Sequence, residues 1–216
     1  MIRLSRVSKF YRTESHRKVV LDDVTYLFDA QYAYGIFGSN GAGKSTLLRL
    51  IGGTELPNSG QIFRDVRISW PLGFGGGFHP LMTGRENLKF ASRIYGANLR
   101  RVIDFVEYFS ELGNYLDMPV ATYSSGMQAR LAFGLSMAID FDCYLVDEIT
   151  AVGDARFGLR CRQAFEEKRG RSSMIMVSHD IGTVKAYCDR GLVLCRGKLV
   201  AFSRIDDAIE FYRKNL

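Results

Sequence analysis

Long apolar runs are missing from this chain. The longest uncharged apolar stretch, Leu131 to Ile139, is fenced by Arg130 and Asp140 and falls well short of the roughly 20 residues a membrane-spanning helix needs. The first residues, MIRLSRVSKFY, hold no apolar core and no small-residue cleavage site, so no secretory leader is expected and the chain should stay in the cytoplasm unless a partner holds it at a membrane. Proline is scarce, at 4 against 22 glycines, which favours backbone-led loops over stiff linkers. There is no repeat, low-complexity tract or Pro/Ser linker. The four cysteines, Cys143, Cys161, Cys188 and Cys195, form no Cys-x-x-Cys pair, so neither a zinc site nor a redox motif is indicated and reduced, buried thiols are expected.

What is present suits one domain, or one domain with an insert. At 216 residues, 47% hydrophobic and 24% charged, the chain is not disordered and has enough apolar mass for a core. The net charge is +6, and the first twenty residues carry Arg3, Arg6, Lys9, Arg12, Arg17 and Lys18 against Glu14. A basic end of this kind can meet nucleic acid, anionic lipid or a polyanionic substrate; it can equally be a strand edge protected by its own charge.

The pattern of apolar runs predicts strands at 2–10 and 18–28, a short buried strand at 32–37, and a helix from Lys44 to Ile51 after a Gly-rich loop. Gln61 to Trp70 reads as extended. Helices follow near 84–95 and 99–111, and Ser124 and Ser125 open an apolar helix through Ile139. Asp142 to Val146 reads as a buried strand, 156–169 as a helix, 174–177 as a strand, 180–187 as a helix, 190–195 and 198–202 as strands, and 206–214 as a closing helix. Strands alternating with helices predict an α/β fold with a mostly parallel sheet, preceded by an antiparallel N-terminal β part. The helical block at about 84–139 interrupts that alternation as an inserted α-helical subdomain.

Three motifs carry chemistry. Gly38-Ser39-Asn40-Gly41-Ala42-Gly43-Lys44-Ser45, followed by Thr46, fits the phosphate-loop pattern G-x-x-x-x-G-K-[ST] between a predicted strand and a predicted helix. Its glycines let backbone N–H groups turn toward phosphate oxygens, the helix directs its positive end there, Lys44 supplies a charge, and Ser45 offers a hydroxyl to Mg²⁺. Tyr144-Leu145-Val146-Asp147-Glu148 is an apolar strand ending in two carboxylates at the edge where open α/β sheets bind ligands. Asp147 suits the Mg²⁺ shell and Glu148 the polarising of a water that attacks the γ-phosphate. Ser124 at a helix start is either a simple cap or a second anion site. Two chains packed head to tail would set each phosphate loop opposite the other chain's Ser124.

With these motifs the sequence resembles the ATP-binding cassette (ABC) ATPases, P-loop proteins, over essentially its whole length. Tyr11, the loop 38–45, YSSGM at 123–127, the acidic pair 147–148 and His179 in Val177-Ser178-His179-Asp180 stand in that family's order. FHPLMTGREN (78–87), DEITAVGDARF (147–157) and MVSHD (176–180) are similar to the branch that powers polysaccharide export, and most of all to capsular-polysaccharide exporters of Gram-negative bacteria. The chain's stop at Leu216 leaves no room for the added carbohydrate-binding domain of many O-antigen exporters, so residues 1–216 are expected to form a single ATPase domain.

The resemblance implies a role for each matching residue. Tyr11 would stack on adenine, with a core aromatic on a strand as the lesser alternative. Ser124, Ser125 and Gly126 would touch the γ-phosphate held by the other chain. Ala151-Val152-Gly153-Asp154 would communicate between the two sites, and Glu148 and His179 would be catalytic. It also implies ATP and Mg²⁺ as ligands, a homodimer, an integral membrane permease dimer, periplasmic and outer-membrane export components, a glycolipid-linked polysaccharide as cargo, no nucleic acid, and a peripheral position on the cytoplasmic face of the inner membrane.

Two departures stand out. The signature has Ser125 and Met127 where the family commonly has Gly and Gln, and the loop from Pro71 to Pro80 lacks the usual glutamine. Gly73 to Gly77, with Phe74, Phe78 and His79, is expected to form the partner-docking groove instead. The alternatives are a related O-antigen or teichoic-acid type exporter, a soluble ABC ATPase on ribosomes or DNA, a P-loop kinase or GTPase, and a binding module without catalysis. No guanine-reading Asn-Lys-x-Asp is present, and the retained Lys44, Ser45, Asp147, Glu148 and His179 argue against the last.

Overall fold

The computed structural model describes residues 1–12, 17–72, 77–147, 155–178 and 180–215. It divides into two compact units, Met1–Pro71 with Phe141–Glu148 and Arg171–Leu216, and Leu72–Asp140 with Ile149–Gly170.

In the first unit, β1 (Ile2–Arg12), β2 (Arg17–Phe28) and β4 (Ser59–Arg64) form an antiparallel sheet in the order β2-β1-β4. β1 starts with strict alternation, Ile2 and Leu4 buried and Arg3 exposed, as a strand with one apolar face should. Its register against β2 then shifts between Leu4 and Val7, again before Lys9, and again before Phe10. Arg6 sits in the first irregularity with a positive φ of 48°, and each such shift moves later side chains between faces.

The second sheet is mostly parallel. β3 (Ala33–Phe37) is buried at every residue, which suits a strand covered on both faces. It lies at the centre of the order β5-β6-β3-β7-β8, where β5 is Cys143–Asp147, β6 Ser173–Val177, β7 Arg190–Cys195 and β8 Lys198–Phe202. β5, β6, β3 and β7 run parallel, and β8 returns antiparallel to β7. Helices α1 (Lys44–Gly52), α6 (Ile181–Tyr187) and α7 (Ile205–Asn215) belong to the same unit. Leu47, Leu48, Leu50 and Ile51 of α1 close over Tyr34, Ile36, Leu145, Ile175 and Leu192 from the sheet. The architecture is the expected α/β one, a mostly parallel sheet with an N-terminal antiparallel part.

The second unit is helical: α2 (Gly84–Tyr95), α3 (Leu99–Ser110), α4 (Ser125–Ala138) and α5 (Ala155–Arg169). α2 opens on a capping box, with Thr83 Oγ1 accepting from Glu86 N and Glu86 Oε2 accepting from Thr83 N, so two otherwise orphaned donors are satisfied. Phe109 stacks on Phe133 at 5.8 Å and meets Phe157 edge-on at 5.4 Å, tying α3, α4 and α5 together. α3 ends at Glu111 in the left-handed region (φ 55°). A carboxylate there opposes the helix dipole. Arg130, Arg156 and Arg160 offset it, and Arg160 Nη1 approaches Glu111 Oε1 to 2.6 Å, off the angle of a hydrogen bond.

Two 3₁₀ turns, Gly113–Asp117 and Val120–Thr122, were not legible as elements. The extended reading of 61–70 holds as a strand only to Arg64, after which Ile68 makes an isolated parallel bridge to Cys143. None of the four cysteines is in a disulfide and three are buried, and burial pushes Cys143 up to about 11 and Cys161 up to about 12. No helix among the described residues is long and apolar enough to cross a membrane.

Candidate functional site

The loop between β3 and α1 is built around backbone. Gly43, which precedes α1, has φ 110° and supplies no side-chain cap, so the first-turn N–H groups face the loop rather than a neighbouring hydroxyl. A Cβ at Gly43 would stand 2.0 Å from Val20 Cγ1, and one at Gly38 would stand 2.6 Å from the Leu194 carbonyl oxygen. Side chains are therefore excluded from this cradle by contact as well as by dihedral angle. Ala42 N donates to Ser39 O at 3.1 Å, closing the turn. Lys44 is 8% exposed, and its ammonium donates to Gly38 O at 2.7 Å and Ser39 O at 3.1 Å. That curls the charge over the loop, where phosphate oxygens can replace weaker carbonyl partners. Asn40 and Gly41 are exposed at the tip, and Ser45 is half-buried in the first turn of α1. The cradle and its ammonium fit a polyphosphate.

Asp147 ends β5 half-buried, and the register runs from Asp147 to Val177 on β6 and from Val177 to Ile36 on β3. The carboxylate thus lies on the same carboxyl edge of the sheet from which the phosphate loop departs. Glu148, His179 and the segment Ala151 to Asp154 lie outside the described residues, as do Gly73, Phe74, Gly75 and Gly76.

Tyr11 is 40% exposed on β1, so the core-aromatic reading fails. Its hydroxyl donates to Glu55 Oε1 at 2.6 Å and lies 3.3 Å from Thr46 Oγ1 in α1. Glu55 also pairs with Lys9 Nζ at 2.8 Å and with Arg49 Nε at 3.0 Å, and Arg49 Nη2 donates to Thr46 Oγ1 at 3.1 Å. Burial works against a charge on Glu55, but hydrogen bonds from Lys9, Tyr11 and Arg49 outweigh it and bring the carboxyl down to about 2. The tyrosine hydroxyl is held beside the loop helix, Lys9 Nζ stands 5.3 Å from the centre of its ring, and the residue stays 40% exposed. Sequence reasoning missed Glu55, Arg49 and Lys9 in this role.

In the helical unit, Ser124 is the N-cap of α4, with Oγ accepting from Met127 N at 3.3 Å. Ser124 and Ser125 are exposed and Gly126 half-buried, so this helix end is presented outward. Tyr123 beneath it is buried, its hydroxyl donating to Tyr115 O at 2.5 Å. In the loop before α2, Phe78 is half-buried and His79 exposed. Asn87 braces that loop, accepting from His79 N at 2.8 Å and donating to the carbonyls of His79, Met82 and Thr83.

The family model described as ABC transporter matches residues 21–151. The chain belongs to the ABC transporter ATP-binding family. It is 49% identical over 219 residues to the polysialic acid transport ATP-binding protein KpsT of Escherichia coli, covering 100% of both chains. It is 50% identical over 212 residues to the capsule polysaccharide export ATP-binding protein CtrD of Neisseria meningitidis serogroup B, covering 98% of each. Its fold is similar to that of the ATP-binding cassette MJ0796, solved as a dimer in a post-hydrolysis state bound to ADP and Pi. That match has a TM-score of 0.78 at 21% identity, over 94% of this chain and 98% of the other. The loop 38–46 and Asp147 lie together at the carboxyl edge of the first unit's parallel sheet, and Ser124 to Gly126 lie at the start of α4 in the second unit.

Proposed function

We propose that this chain is the ATP-hydrolysing subunit that powers export of capsular polysaccharide across the inner membrane, at whose cytoplasmic face a permease dimer holds it. The observation that carries the reading is its identity of about half to KpsT and CtrD over nearly the full length of each. The phosphate cradle with Lys44 folded over it supports the same reading from geometry. On this reading the chain works as one ATPase domain with a helical subdomain, and two copies meet head to tail. The cargo is a glycolipid-linked polysaccharide, passed on to periplasmic and outer-membrane components.

Each residue then has a task. Backbone N–H groups from Gly38 to Thr46 bind phosphate oxygens, and Lys44 exchanges its loop carbonyls for the nucleotide's outer phosphates. Tyr11 offers its exposed ring to adenine. Ser45 and Asp147 would hold Mg²⁺, which, when bound, draws charge from the phosphates. Glu148 accepts a proton from the attacking water, a contribution typically worth about 10²–10⁴-fold, and His179 steadies that water at the γ-phosphate. Ser124, Ser125 and Gly126 complete the site from the second copy, as phosphoryl transfer catalysed mainly by positioning requires.

Glu148→Gln tests this directly. With MgATP the purified variant should run as a dimer by light scattering and lose turnover, and it should fail to restore capsule in a strain lacking the gene. Turnover near that of the unaltered chain would remove Glu148 from the role of base. A variant that stays monomeric at saturating MgATP, even with its permease, would overturn the two-copy site.

A further inference from the structure

Lys18 belongs to a basic cluster whose charge alone decided nothing, and the structure gives it a specific place. It lies on β2, directly opposite Tyr11 on β1 in the antiparallel register. Side chains opposite one another on a ladder leave the same face of the sheet, so Tyr11 and Lys18 stand side by side. Val20 stands two residues further along β2, at the register irregularity between Lys9 and Phe10. Val20 Cγ1 is the atom that a Cβ on Gly43 would strike at 2.0 Å. This stretch of β2 therefore lies against the phosphate loop, Val20 at Gly43 and Lys18 at Gly41.

The Lys18 ammonium reaches the loop's tip. Its Nζ lies 3.3 Å from the point where a Cβ on Gly41 would be. Gly41 itself has φ 73° and is exposed, so nothing of its own covers the tip. Lys18 is exposed, and among the described residues no carboxylate neutralises it. Lys9, its basic neighbour on β1, is instead consumed by Glu55 at 2.8 Å. The loop is thus flanked by two side chains from adjacent strands: an aromatic ring tied to Thr46 on the α1 side, and at the Gly41 side a cation without a carboxylate partner among the described residues. Lys44, folded over the loop onto Gly38 O and Ser39 O, supplies a third group.

We propose that Lys18 is a second cationic ligand for the phosphate groups of the bound nucleotide, acting from the strand side of the loop opposite Lys44. This deepens the nucleotide-site reading above and rests on it. An ammonium on a flexible stem serves as a point charge without demanding a fixed fork of hydrogen bonds. At an exposed position its attraction falls with ionic strength. The contribution is to binding, and the ribose and base do not share in it.

The test uses the full chain and two readouts. In the first, surface amines are acetylated briefly and mapped by mass spectrometry, alone or with ATP, inorganic tripolyphosphate or adenosine. ATP and tripolyphosphate should protect Lys18, and adenosine should not. In the second, affinity is measured by calorimetry at low and high salt. Lys18→Gln should weaken ATP and tripolyphosphate alike by about tenfold at low salt, the order expected of one exposed charge-assisted contact. The deficit should shrink at high salt, and Lys18→Arg should restore most of the affinity. Tyr11→Ala, by contrast, should weaken ATP and leave tripolyphosphate unchanged. Equal acetylation of Lys18 with and without triphosphate, or unaltered affinity in Lys18→Gln, would overturn the proposal while ATP binding itself survives. Failure of the unaltered chain to bind ATP would overturn the nucleotide site as a whole.

Discussion

Replacing Glu55 by glutamine should destabilise the protein at neutral pH and cease to do so in acid. Glu55 receives Tyr11, Lys9 and Arg49 at 2.6, 2.8 and 3.0 Å, and its carboxyl sits at about 2 instead of the usual 4.5. At about 1.4 kcal/mol per tenfold change in proton affinity, that corresponds to about 3 kcal/mol of folding free energy. The side chain is 18% exposed, and solvent screening trims the figure to about 2 kcal/mol. For a chain of this size such a loss lowers the melting temperature by about 4–8 °C. Because the folded carboxyl titrates below its unfolded value, the contribution is complete above 4.5 and disappears as pH falls from there to about 2. A protonated glutamate and a glutamine carry no charge alike, so the two proteins should converge across that window. Scanning calorimetry of both at neutral pH and at steps down through the acid range measures the gap. A gap that stays constant as pH falls, or no gap at neutral pH, would refute the assignment of Glu55 as the charged centre of this network.

Two further substitutions probe the loop and the segment before α2. Gly43→Ala combines a φ of 110° with a Cβ 2.0 Å from Val20 Cγ1, and should cost about 2–5 kcal/mol in urea unfolding, of which adding Val20→Ala recovers the contact part and leaves the dihedral strain. Asn87→Ala removes a 3% exposed amide that satisfies His79, Met82 and Thr83, and should cost about 2–4 kcal/mol. Asn87→Asp should rescue little stability, because it keeps the acceptor and loses both donors, whereas hydrogen exchange at the His79 amide, which donates to Asn87 Oδ1, should speed up chiefly in Asn87→Ala.

Local patterns made most of the fold legible. The apolar run 33–37 ahead of a Gly-rich loop located β3 and α1, and Ser124 located the start of α4, because strand burial, glycine-led turns and N-caps all act within a few residues. The Tyr11 environment was not legible for a physical reason. Three register irregularities in β1 lie between Leu4 and Phe10, and each resets which face a later residue occupies, so alternation counted from Ile2 cannot place Tyr11. Its partner Glu55 lies 44 residues away and follows no motif; only the pairing of sheet and helix unites them. Lys18 was visible as a charge, but its neighbour across the ladder was not. Glu111, a left-handed residue held by three arginines, carries no local signal either, since glycine or asparagine is the expected occupant of such a position.

The buried thiols have a practical consequence. Cys143, Cys161 and Cys188 are shielded, and two of them hold their protons far above neutral pH, so alkylating probes should ignore them in the native state. Only the half-buried Cys195 would need replacing before reporter dyes are attached at chosen surface positions, so a single substitution opens the chain to site-directed fluorescence labelling.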